Sequence, residues 1–271
     1  MSLADDLRHL RDDAGGAVVP RDVVRAHGPE AVGYLQGQLS QDVAALEIGR
    51  SARSFVLQPQ GKVDVWVRVT RVADDELLLD PEPGWGEPLV QRLTRFKLRT
   101  AIELELLDWR MLSVRGPSAA PPGGGVVIEV DGGFDVIGSD PQIPDGVRPV
   151  DPVALEVLRI EARIPAMGAE IDETTIPAET GQVDASASFT KGCYTGQELV
   201  ARVDSRGGRA PRRVVGLSIG SPDIVTGTAL MVDGHDVGRV TSVAPDGRGG
   251  AVALGLLARS VDTPVTVDLA G

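Results

Sequence analysis

The alternation of apolar and polar positions predicts short helices and strands along the whole chain. Leu3–Asp12 has the spacing of an amphipathic helix, and Val18–Ala26 reads as one extended segment. Pro29 suits the first turn of a helix that runs to about Ser40, because an N–H group at that position has no partner within the helix. Further strands are predicted at Phe55–Leu57, Val63–Val72, Glu76–Leu79, Ile102–Leu107 and Met111–Val114, and further helices at residues 87–99 and Val153–Ala162.

Glycine, proline and aspartate divide the rest of the chain into turns and short strands. Residues 116–125 hold three prolines and four glycines, a composition that predicts a loop or linker. Strands at Val126–Val130 and Phe134–Ile137 flank an Asp-Gly-Gly turn and predict a hairpin. From Arg213 onward, short apolar strands alternate with turns, as in a small β-barrel. With no βαβ repeat, the pattern predicts an α+β protein with a first region at residues 1–209 and a C-terminal β-barrel at 210–271.

Composition sets limits on the class of protein. A chain of 271 residues with 42% apolar content can build ordinary cores, in one large domain or in two to three small ones. No run approaches the roughly 18 apolar residues of a membrane span, and the charged Met1–Asp13 lacks the apolar core of a signal peptide. We therefore expect a soluble cytoplasmic protein. A single cysteine excludes an intramolecular disulfide or a cluster held by several thiolates of one chain, and three scattered histidines indicate no metal site.

The net charge of −12 argues against a general affinity for nucleic acid, because binding to phosphate gains mainly from Lys and Arg. The basic residues are nevertheless concentrated. Residues 191–213 carry six cations and two acids, and residues 91–100 carry four cations and no acid. A basic strip within an acidic body suits a small polyanion, unless its arginines are only solvated helix faces.

Residues 191–198, K-G-C-Y-T-G-Q-E, contain the only cysteine of the chain and carry the clearest chemical signal. Thr195 and Glu198 have the spacing of a capping box, which predicts a helix N-terminus at Thr195. Cys193 would then lie just upstream of the positive end of a helix dipole, and Lys191 would add a charge. Both effects favour a thiolate, so we predict a reactive Cys193 assisted by Lys191. The alternative is a small buried cysteine that only packs.

This string resembles the K-G-C-Y-x-G-Q-E signature of the YgfZ-type folate-binding proteins. They are relatives of the glycine-cleavage T-protein, an aminomethyltransferase, and include the mitochondrial iron–sulfur assembly factor of that family. Other matching segments follow in the order of the family, and the resemblance extends from about residue 17 to the C-terminus. These segments are residues 34–38 with Asp42, residues 60–62, residues 95–99, residues 158–162, and residues 171–174 with Pro177.

The resemblance implies a fold and a function. The implied fold is a three-domain ring around a central channel, and the implied ligand is tetrahydrofolate or a one-carbon or polyglutamylated form of it. The implied role is to support the assembly, repair or maintenance of iron–sulfur enzymes, with a link to tRNA modification. The expected partners are the folate and, by transient contact, iron–sulfur client enzymes. We expect a monomer without direct nucleic-acid or membrane binding.

Candidate folate contacts follow from the motifs and from side-chain chemistry. In the T-protein relatives the glutamate of the L-R-x-E-A string contacts the pterin. The resemblance carries this role to Glu161, whose carboxylate can accept two hydrogen bonds, the alternative being a solvated helix carboxylate. Trp66, Trp85 and Trp109 each offer a stacking surface or else pack in a core. The remaining candidate contacts are Gln38, Asp64, Tyr194, Gln197, Glu198 and Arg202.

One departure from the T-protein pattern bears on activity. Aminomethyltransferases carry an aspartate pair in the strand after the glycine turn, whereas G-K-V-D-V-W at residues 61–66 has only Asp64. Alternate residues of a strand share a face, so Asp64 and Trp66 should point the same way. The aminomethyl-transfer mechanism loses support from this departure, while folate binding does not.

Three functions stay open at the level of the sequence. The first is a folate-binding accessory factor for iron–sulfur enzymes that uses Cys193. The second is a tetrahydrofolate-dependent one-carbon transferase that uses Asp64. The third is a non-catalytic module whose basic strip docks a protein or an RNA. The sequence therefore leaves open whether the protein is an enzyme.

Overall fold

The computed structural model describes residues 2–121, 123–205 and 207–270. Pro122 of the predicted loop and Arg206 of the basic strip lie outside the described residues. The helices are α1 (Leu3–Asp12), α2 (Ala31–Gln38), α3 (Gly86–Lys97), α4 (Pro152–Glu161), α5 (Val183–Ser186) and α6 (Gln197–Asp204). The strands are β1 (Gly15–Pro20), β2 (Val23–His27), β3 (Ser51–Leu57), β4 (Val63–Ala73), β5 (Glu76–Asp80), β6 (Glu103–Leu107), β7 (Arg110–Arg115), β8 (Val126–Val130), β9 (Gly133–Gly138), β10 (Arg148–Pro149), β11 (Arg212–Ile219), β12 (Ala229–Val232), β13 (His235–Pro245), β14 (Ala251–Ala258) and β15 (Asp268–Ala270).

The first sheet has the strand order β3-β4-β5-β2-β6, and all neighbouring pairs are antiparallel. Its outer face is covered by helices, where Leu35 of α2 and Leu93 of α3 pack with Val67 of β4. Valines at alternate positions of β4 supply this apolar face, as the period of two in a strand requires. The inner face meets the second sheet through contacts such as Leu78 of β5 with Ile137 of β9.

The second and third sheets are joined by two helices. The second sheet has the order β10-β1-β7-β9-β8 with one parallel pair, β1 and β10, and the third has the order β11-β14-β13-β12-β15. Leu7 of α1 and Val157 of α4 share one core with Ala17 of β1, Ala244 of β13 and Leu254 of β14. This core ties the C-terminal sheet to the rest of the molecule.

The starts of α1 and α4 are set by local capping. The side chain of Ser2 accepts the backbone N–H of Asp5, and the side chain of Asp151 accepts the N–H of Val153. Pro152 occupies the first turn of α4, where a missing N–H costs nothing. These caps satisfy donors that have no partner within the helix, so both helices begin where the sequence places polar residues.

A buried network of charged side chains joins the first and second sheets. Arg68 of β4 forms ion pairs with Asp80 (2.9 Å) and Asp135 (2.6 Å), and all three side chains are almost fully buried. Arg21 also pairs with Asp80 (3.0 Å), and Arg115 with Asp135 (2.9 Å). Burial opposes the ionisation of Asp135, but the guanidinium groups of Arg68 and Arg115 hold its pKa well below the usual range. The network therefore fixes how the two sheets meet.

The α+β class is confirmed, with two corrections to the elements. The predicted extended segment Val18–Ala26 is two strands, β1 and β2. They are separated by Arg21, which binds Asp80, and by Asp22, whose carboxylate accepts the N–H of Gly86 at 2.7 Å. The helix expected to start at Pro29 begins instead at Ala31, after a turn.

The C-terminal sheet does not close on itself within the described residues. Its strand order places β11 and β15 at opposite edges, so the hydrogen-bonded strand pairs do not confirm the predicted β-barrel. Among the helices in the described ranges, none is long and apolar enough to cross a membrane.

Candidate functional site

Two of the sequence motifs meet at the C-terminal end of α2. The ammonium group of Lys191 donates to the carbonyl oxygens of Gln36 (2.6 Å), Leu39 (2.7 Å) and Gln41 (2.9 Å). Carbonyls at a helix C-terminus lack intrahelical partners and carry the negative end of the dipole, so a cation is stabilising there. Partial burial lowers the pKa of Lys191 to about 8, and the charge of Asp42 acts in the opposite direction. Lys191 therefore holds its loop against α2.

The loop that carries Cys193, residues 188–196, is called here the cysteine loop. Its two ends are held by backbone hydrogen bonds from Ser188 N to Ser40 O (2.9 Å) and from Thr195 N to Gly37 O (3.2 Å). Together with Lys191, these bonds hold the cysteine loop along the segment that follows α2. The motif is therefore an anchored loop with one exposed thiol.

The predicted capping box at Thr195 and Glu198 is wrong. The N-cap of α6 is Gly196, with a φ of 80°, and among the described residues no side-chain hydrogen bond caps the helix. The N–H of Thr195 already donates to the carbonyl oxygen of Gly37 in α2. The residue before the helix has a left-handed backbone conformation, which glycine adopts more readily than other residues. The helix thus starts one residue later than predicted.

Cys193 is a free and exposed cysteine, so the alternative of a buried packing residue is wrong. An ammonium group has three donors, and the three donors of Lys191 are used by carbonyl groups. Lys191 therefore positions the cysteine loop and has no donor left for the sulfur. The reactivity of the thiol itself stays a prediction.

The remaining motif residues divide between core and surface. Tyr194 is 7% exposed and packs with Trp66 and Phe55. Burial raises the pKa of its hydroxyl to about 12, and Lys191 Nζ lies 5.2 Å from its ring centroid. This burial gives Tyr194 a packing role. On α6, by contrast, Gln197 is half-buried, and Glu198 and Arg202 are exposed one turn apart.

Arg92 of α3 brings two of the predicted site residues together. Its Nε donates to Asp64 Oδ2 (2.9 Å), its Nη1 to Gln38 Oε1 (3.3 Å) and its Nη2 to Leu57 O (2.8 Å). The guanidinium carbon lies 4.2 Å from the centroid of the Phe96 ring. Gln38 directly follows the residue whose carbonyl holds the cysteine loop, so the Asp64–Arg92 pair adjoins that loop.

Asp64 occupies a β-bulge, and the bulge separates it from Trp66. The pairing of β3 with β4 shifts register at this point, which leaves Asp64 as the extra residue between Val63 and Val65. As a result Val65 packs under the helices, whereas Val63 and Trp66 pack together in another core. The prediction that Asp64 and Trp66 point the same way is therefore wrong.

Trp66 is held inside the molecule. Its side chain is 3% exposed, and its Nε1 donates to Ser186 Oγ at 3.0 Å. The guanidinium carbon of Arg53 lies 4.6 Å from the ring centroid and covers one face. Core packing, one of the two roles predicted for the tryptophans, is therefore the observed role of Trp66.

A cleft of about 430 Å³ lies beside the Asp64–Arg92 pair. The indole of Trp85 contributes to its wall, and Arg95 and Glu173 line it as well. Arg95 is exposed, and no described carboxylate lies within ion-pair distance of it. The volume falls in the range of about 300–1,000 Å³ that is usual for small-molecule sites. Of the three tryptophans, Trp85 is the one that this cleft makes available to a ligand.

Glu161, the predicted pterin contact, is the last residue of α4 and pairs with Arg11 of α1. Arg11 Nη2 lies 2.7 Å from one carboxylate oxygen and 2.8 Å from the other, and each side chain is 38% exposed. The helix packs against α1 and the third sheet, and not under the helices that carry Arg92 and Gln38. The structure therefore does not bring Glu161 to the Asp64–Arg92 pair, and a ligand would have to displace Arg11.

Arg92 is a site residue that the sequence reasoning missed. Its partner Asp64 is 28 residues earlier, and no local pattern encodes that contact. A weak signal exists in the helix itself. Arg92 stands beside Leu93 and one turn after Leu89, both fully buried, and a charged side chain on that side of a helix needs a partner.

Comparison with known proteins gives the class. No protein-family model matches the chain. The fold is similar to the crystal structure of the glycine cleavage system aminomethyltransferase T from Bartonella henselae, with a TM-score of 0.79 and 20% identity, covering 95% of this chain and 82% of that one. At this identity the likeness shows the fold.

Two curated relatives are similar in sequence. A mitochondrial iron–sulfur cluster assembly factor IBA57 homologue from Pyricularia oryzae is 29% identical over 213 residues, 70% of this chain and 54% of that protein. An uncharacterized protein from Haemophilus influenzae is 27% identical over 187 residues, 68% of this chain and 66% of that protein. The chain thus matches between about half and two thirds of the length of these relatives. The fold and the relatives together confirm the resemblance to the aminomethyltransferase-like superfamily with its YgfZ-type members.

Proposed function

We propose that this protein is a folate-binding accessory factor that supports the assembly, repair or maintenance of iron–sulfur enzymes, with Cys193 as its functional thiol. One observation carries the proposal. Segments far apart in the chain converge to anchor a loop with an exposed thiol, and the loop bonds to Gly37, the neighbour of the Gln38 that contacts Arg92 at the cleft. A purely structural loop would not need an exposed cysteine. The role in iron–sulfur assembly is supported by the similarity to the iron–sulfur cluster assembly factor homologue from Pyricularia oryzae.

The residues of the cleft fit a folate. The flat indole of Trp85 offers an apolar wall for an aromatic ring, and Arg95 supplies a guanidinium free to pair with a carboxylate of a glutamate tail. Bound there, the folate would supply one-carbon chemistry beside the cysteine loop. Asp64 and Gln38 act by positioning Arg92, and Arg92 in turn shapes the floor of the cleft.

Other predicted contacts enter the proposal with different roles. Glu161 lies apart from this cleft, so it enters as a separate proposal for the pterin contact, one that requires Arg11 to move aside. Gln197, Glu198 and Arg202 lie on α6, directly after the cysteine loop, and are placed to meet a client enzyme. We propose that this contact is transient, that the protein is a monomer located in the cytoplasm, and that any effect on tRNA modification is exerted through iron–sulfur clients rather than by RNA binding.

The one-carbon transferase hypothesis gains no support from the site. Asp64 is paired with Arg92 at 2.9 Å, so its carboxylate is already engaged in an ion pair. The residue two positions later is the buried Trp66 in place of a second acid. We therefore do not propose aminomethyl transfer.

Calorimetric titration with mono- and polyglutamylated tetrahydrofolate tests the ligand. Arg95→Gln should weaken binding by about 1 kcal/mol, the scale of an exposed charged contact, and more for the polyglutamylated form. Arg99→Gln is the matched control, because Arg99 is exposed two residues beyond the end of the same helix and does not line the cleft. Absence of folate binding in the unaltered protein would remove the folate part of the proposal.

Complementation in cells tests the role. Cys193→Ala should fold normally and fail to support iron–sulfur enzymes, while folate-dependent glycine cleavage continues. Full activity of the iron–sulfur enzymes with Cys193→Ala would show that the thiol has no function there.

A further inference from the structure

A second cavity lies between α6, α5 and the 3₁₀ turn Pro177–Glu179. Its volume is about 170 Å³, and it is called here the α6 groove. Among the described residues, none that lines the α6 groove also lines the cleft beside Asp64. The α6 groove is therefore a separate feature, which the proposed function does not use.

The walls of the α6 groove are apolar side chains that are only partly covered. Leu199 and Val203 stand one turn apart on α6, and both are half-buried and line the groove. Ile176 and Val183 line it from outside α6 and are half-buried as well. An amphipathic helix normally covers its apolar face with another element, whereas the buried residue of α6 is Val200. The helix therefore presents apolar surface that the described residues do not fill.

Two exposed carboxylates, those of Asp184 and Asp204, also line the α6 groove. Within the described ranges no cationic group lies within ion-pair distance of either one. The basic residues of the same stretch, such as Arg202 and Arg209, are not among those that line the groove. Asp204 is also the last residue of α6, where the negative end of the helix dipole stabilises a cation. The groove therefore combines apolar walls with a negative rim.

The size of the α6 groove selects the kind of occupant. Its volume of about 170 Å³ is smaller than the range of about 300–1,000 Å³ that is usual for small-molecule sites. An apolar cavity of about 150 Å³ accepts a benzene ring, so this groove has room for one large aliphatic or aromatic side chain. Protein interfaces use such pockets for a single anchor residue, with polar contacts around it. The size therefore favours a side chain of another protein over a free cofactor.

We infer that the α6 groove binds one large apolar side chain of a partner protein, in a segment where that residue is flanked by Lys or Arg. The apolar walls take the anchor, and Asp184 and Asp204 pair with the flanking cations. The net charge of −12 also attracts a basic segment from a distance. The inference goes beyond the proposed function, because it needs neither folate nor the thiol of Cys193.

NMR titration of the isotope-labelled full chain with three short peptides tests the inference. The first peptide, acetyl-Gly-Lys-Leu-Lys-Gly-amide, joins an apolar anchor to two cations. The second has glutamate in place of both lysines, and the third has serine in place of the leucine. The first peptide should shift the backbone amide signals of Val183, Leu199 and Val203. It should also bind at least about fivefold more tightly than the other two, because each of them lacks one half of the complementary chemistry.

Variants separate the walls of the groove from its rim. Ala178→Leu fills the groove and should weaken binding of the first peptide by about tenfold, whereas Ala201→Leu, on the exposed side of α6, is the matched control and should leave it unchanged. Val203→Thr keeps the volume of the wall but makes it polar, and should weaken binding without unfolding the protein. Asp184→Asn combined with Asp204→Asn should weaken binding by about threefold to tenfold at low salt, and by less as salt is added.

Several results would overturn the inference. The site is absent if the first peptide shifts none of these signals, or if all three peptides bind alike. A free organic cation is the occupant if leucinamide binds as tightly as the first peptide, and a second copy of this chain is the occupant if the same signals shift when the protein alone is concentrated. Cys193→Ala should bind the first peptide like the unaltered chain, so this inference and the proposed function fail separately.

Discussion

Gly61 and Gly196, the glycines of two separate motifs, lie backbone against backbone. A Cβ built on Gly196 would stand 3.2 Å from the Cα of Gly61 and 2.6 Å from the carbonyl oxygen of Gln58. Both glycines have positive φ, 85° and 80°. The glycine turn after β3 and the cysteine loop therefore form one packed unit, in which a side chain at either position has no room.

Gly196→Ala should lower the free energy of unfolding by about 2–4 kcal/mol, because an alanine there combines left-handed backbone strain with a clash against backbone. Urea denaturation measures the change. Gly192→Ala is the control in the same loop, since its Cβ would meet nothing within 4 Å, and it should change stability by less than about 0.5 kcal/mol. Equal effects of the two substitutions would contradict the packing described here.

Lys191→Met should destabilise the protein by about 1–3 kcal/mol at neutral pH, because three carbonyl groups lose their donor. The pKa of Lys191 is lowered in the folded protein to about 8 from 10.5. Between these two values the unfolded chain binds more protons, so the contribution of Lys191 to stability rises with pH across that window. Urea unfolding of the unaltered protein and of Lys191→Met should show a larger difference in unfolding free energy near pH 9.5 than near pH 7. A smaller difference near pH 9.5 would contradict the expected direction.

Asp135→Asn should cost about 3–5 kcal/mol, because it leaves the guanidinium groups of Arg68 and Arg115 buried with less compensation. The pKa of Asp135 is depressed in the folded protein, so its contribution is complete at neutral pH. That contribution is lost as the pH falls below the unfolded value of about 4. The difference from the unaltered protein should shrink toward pH 3, whereas Asp74→Asn, at a side chain 94% exposed, should show little difference at any pH.

Cys193 should be alkylated by iodoacetamide in the folded protein, and faster than a model thiol near pH 7. The expected rate rests on the exposure of the thiol and on its place before α6. Mass spectrometry of the native protein over time measures it. Cys193→Ala should change stability by less than about 0.5 kcal/mol, because the side chain is exposed. A thiol that reacts only after unfolding would rule out the functional role.

Glu161→Gln and Arg11→Ala form a pair of opposite tests for the pterin contact. If Glu161 binds the pterin, Glu161→Gln should lower folate affinity by about 1.5–3 kcal/mol. Arg11→Ala should raise the affinity, because it removes the competing ion pair. Stability should change by less than about 1 kcal/mol in both, since the pair is partly exposed. Unchanged calorimetric affinity in both variants would place Glu161 outside the site.

The sequence predicted most elements because their signals are local. The period of the apolar residues in Leu3–Asp12 and in β4 is visible in a window of about ten residues, and the glycine turn between β8 and β9 is marked by its own residues. The motifs also placed Lys191, Cys193, Gln38 and Asp64 among the important residues. The structure brings all four to the end of the first sheet where α2 ends.

The errors occurred where a distant contact overrides a local rule. The capping box at Thr195 failed because the N–H of Thr195 is used by Gly37, a residue of another helix. The prediction that Asp64 and Trp66 share a face failed because a β-bulge inserts one residue into β4, and the bulge depends on the pairing with β3.

The amino-acid sequence by itself indicated most of the helices and strands, the resemblance to a superfamily, and the identity of the motif residues, since each of these is encoded in short runs of the chain. Tertiary structure alone decided what those residues do. It made Lys191 the partner of three carbonyl groups, buried Trp66 and paired Arg92 with Asp64. The physical reason is that hydrogen bonds, ion pairs and desolvation act over a few ångströms of space, between residues that the chain brings together from far apart in sequence.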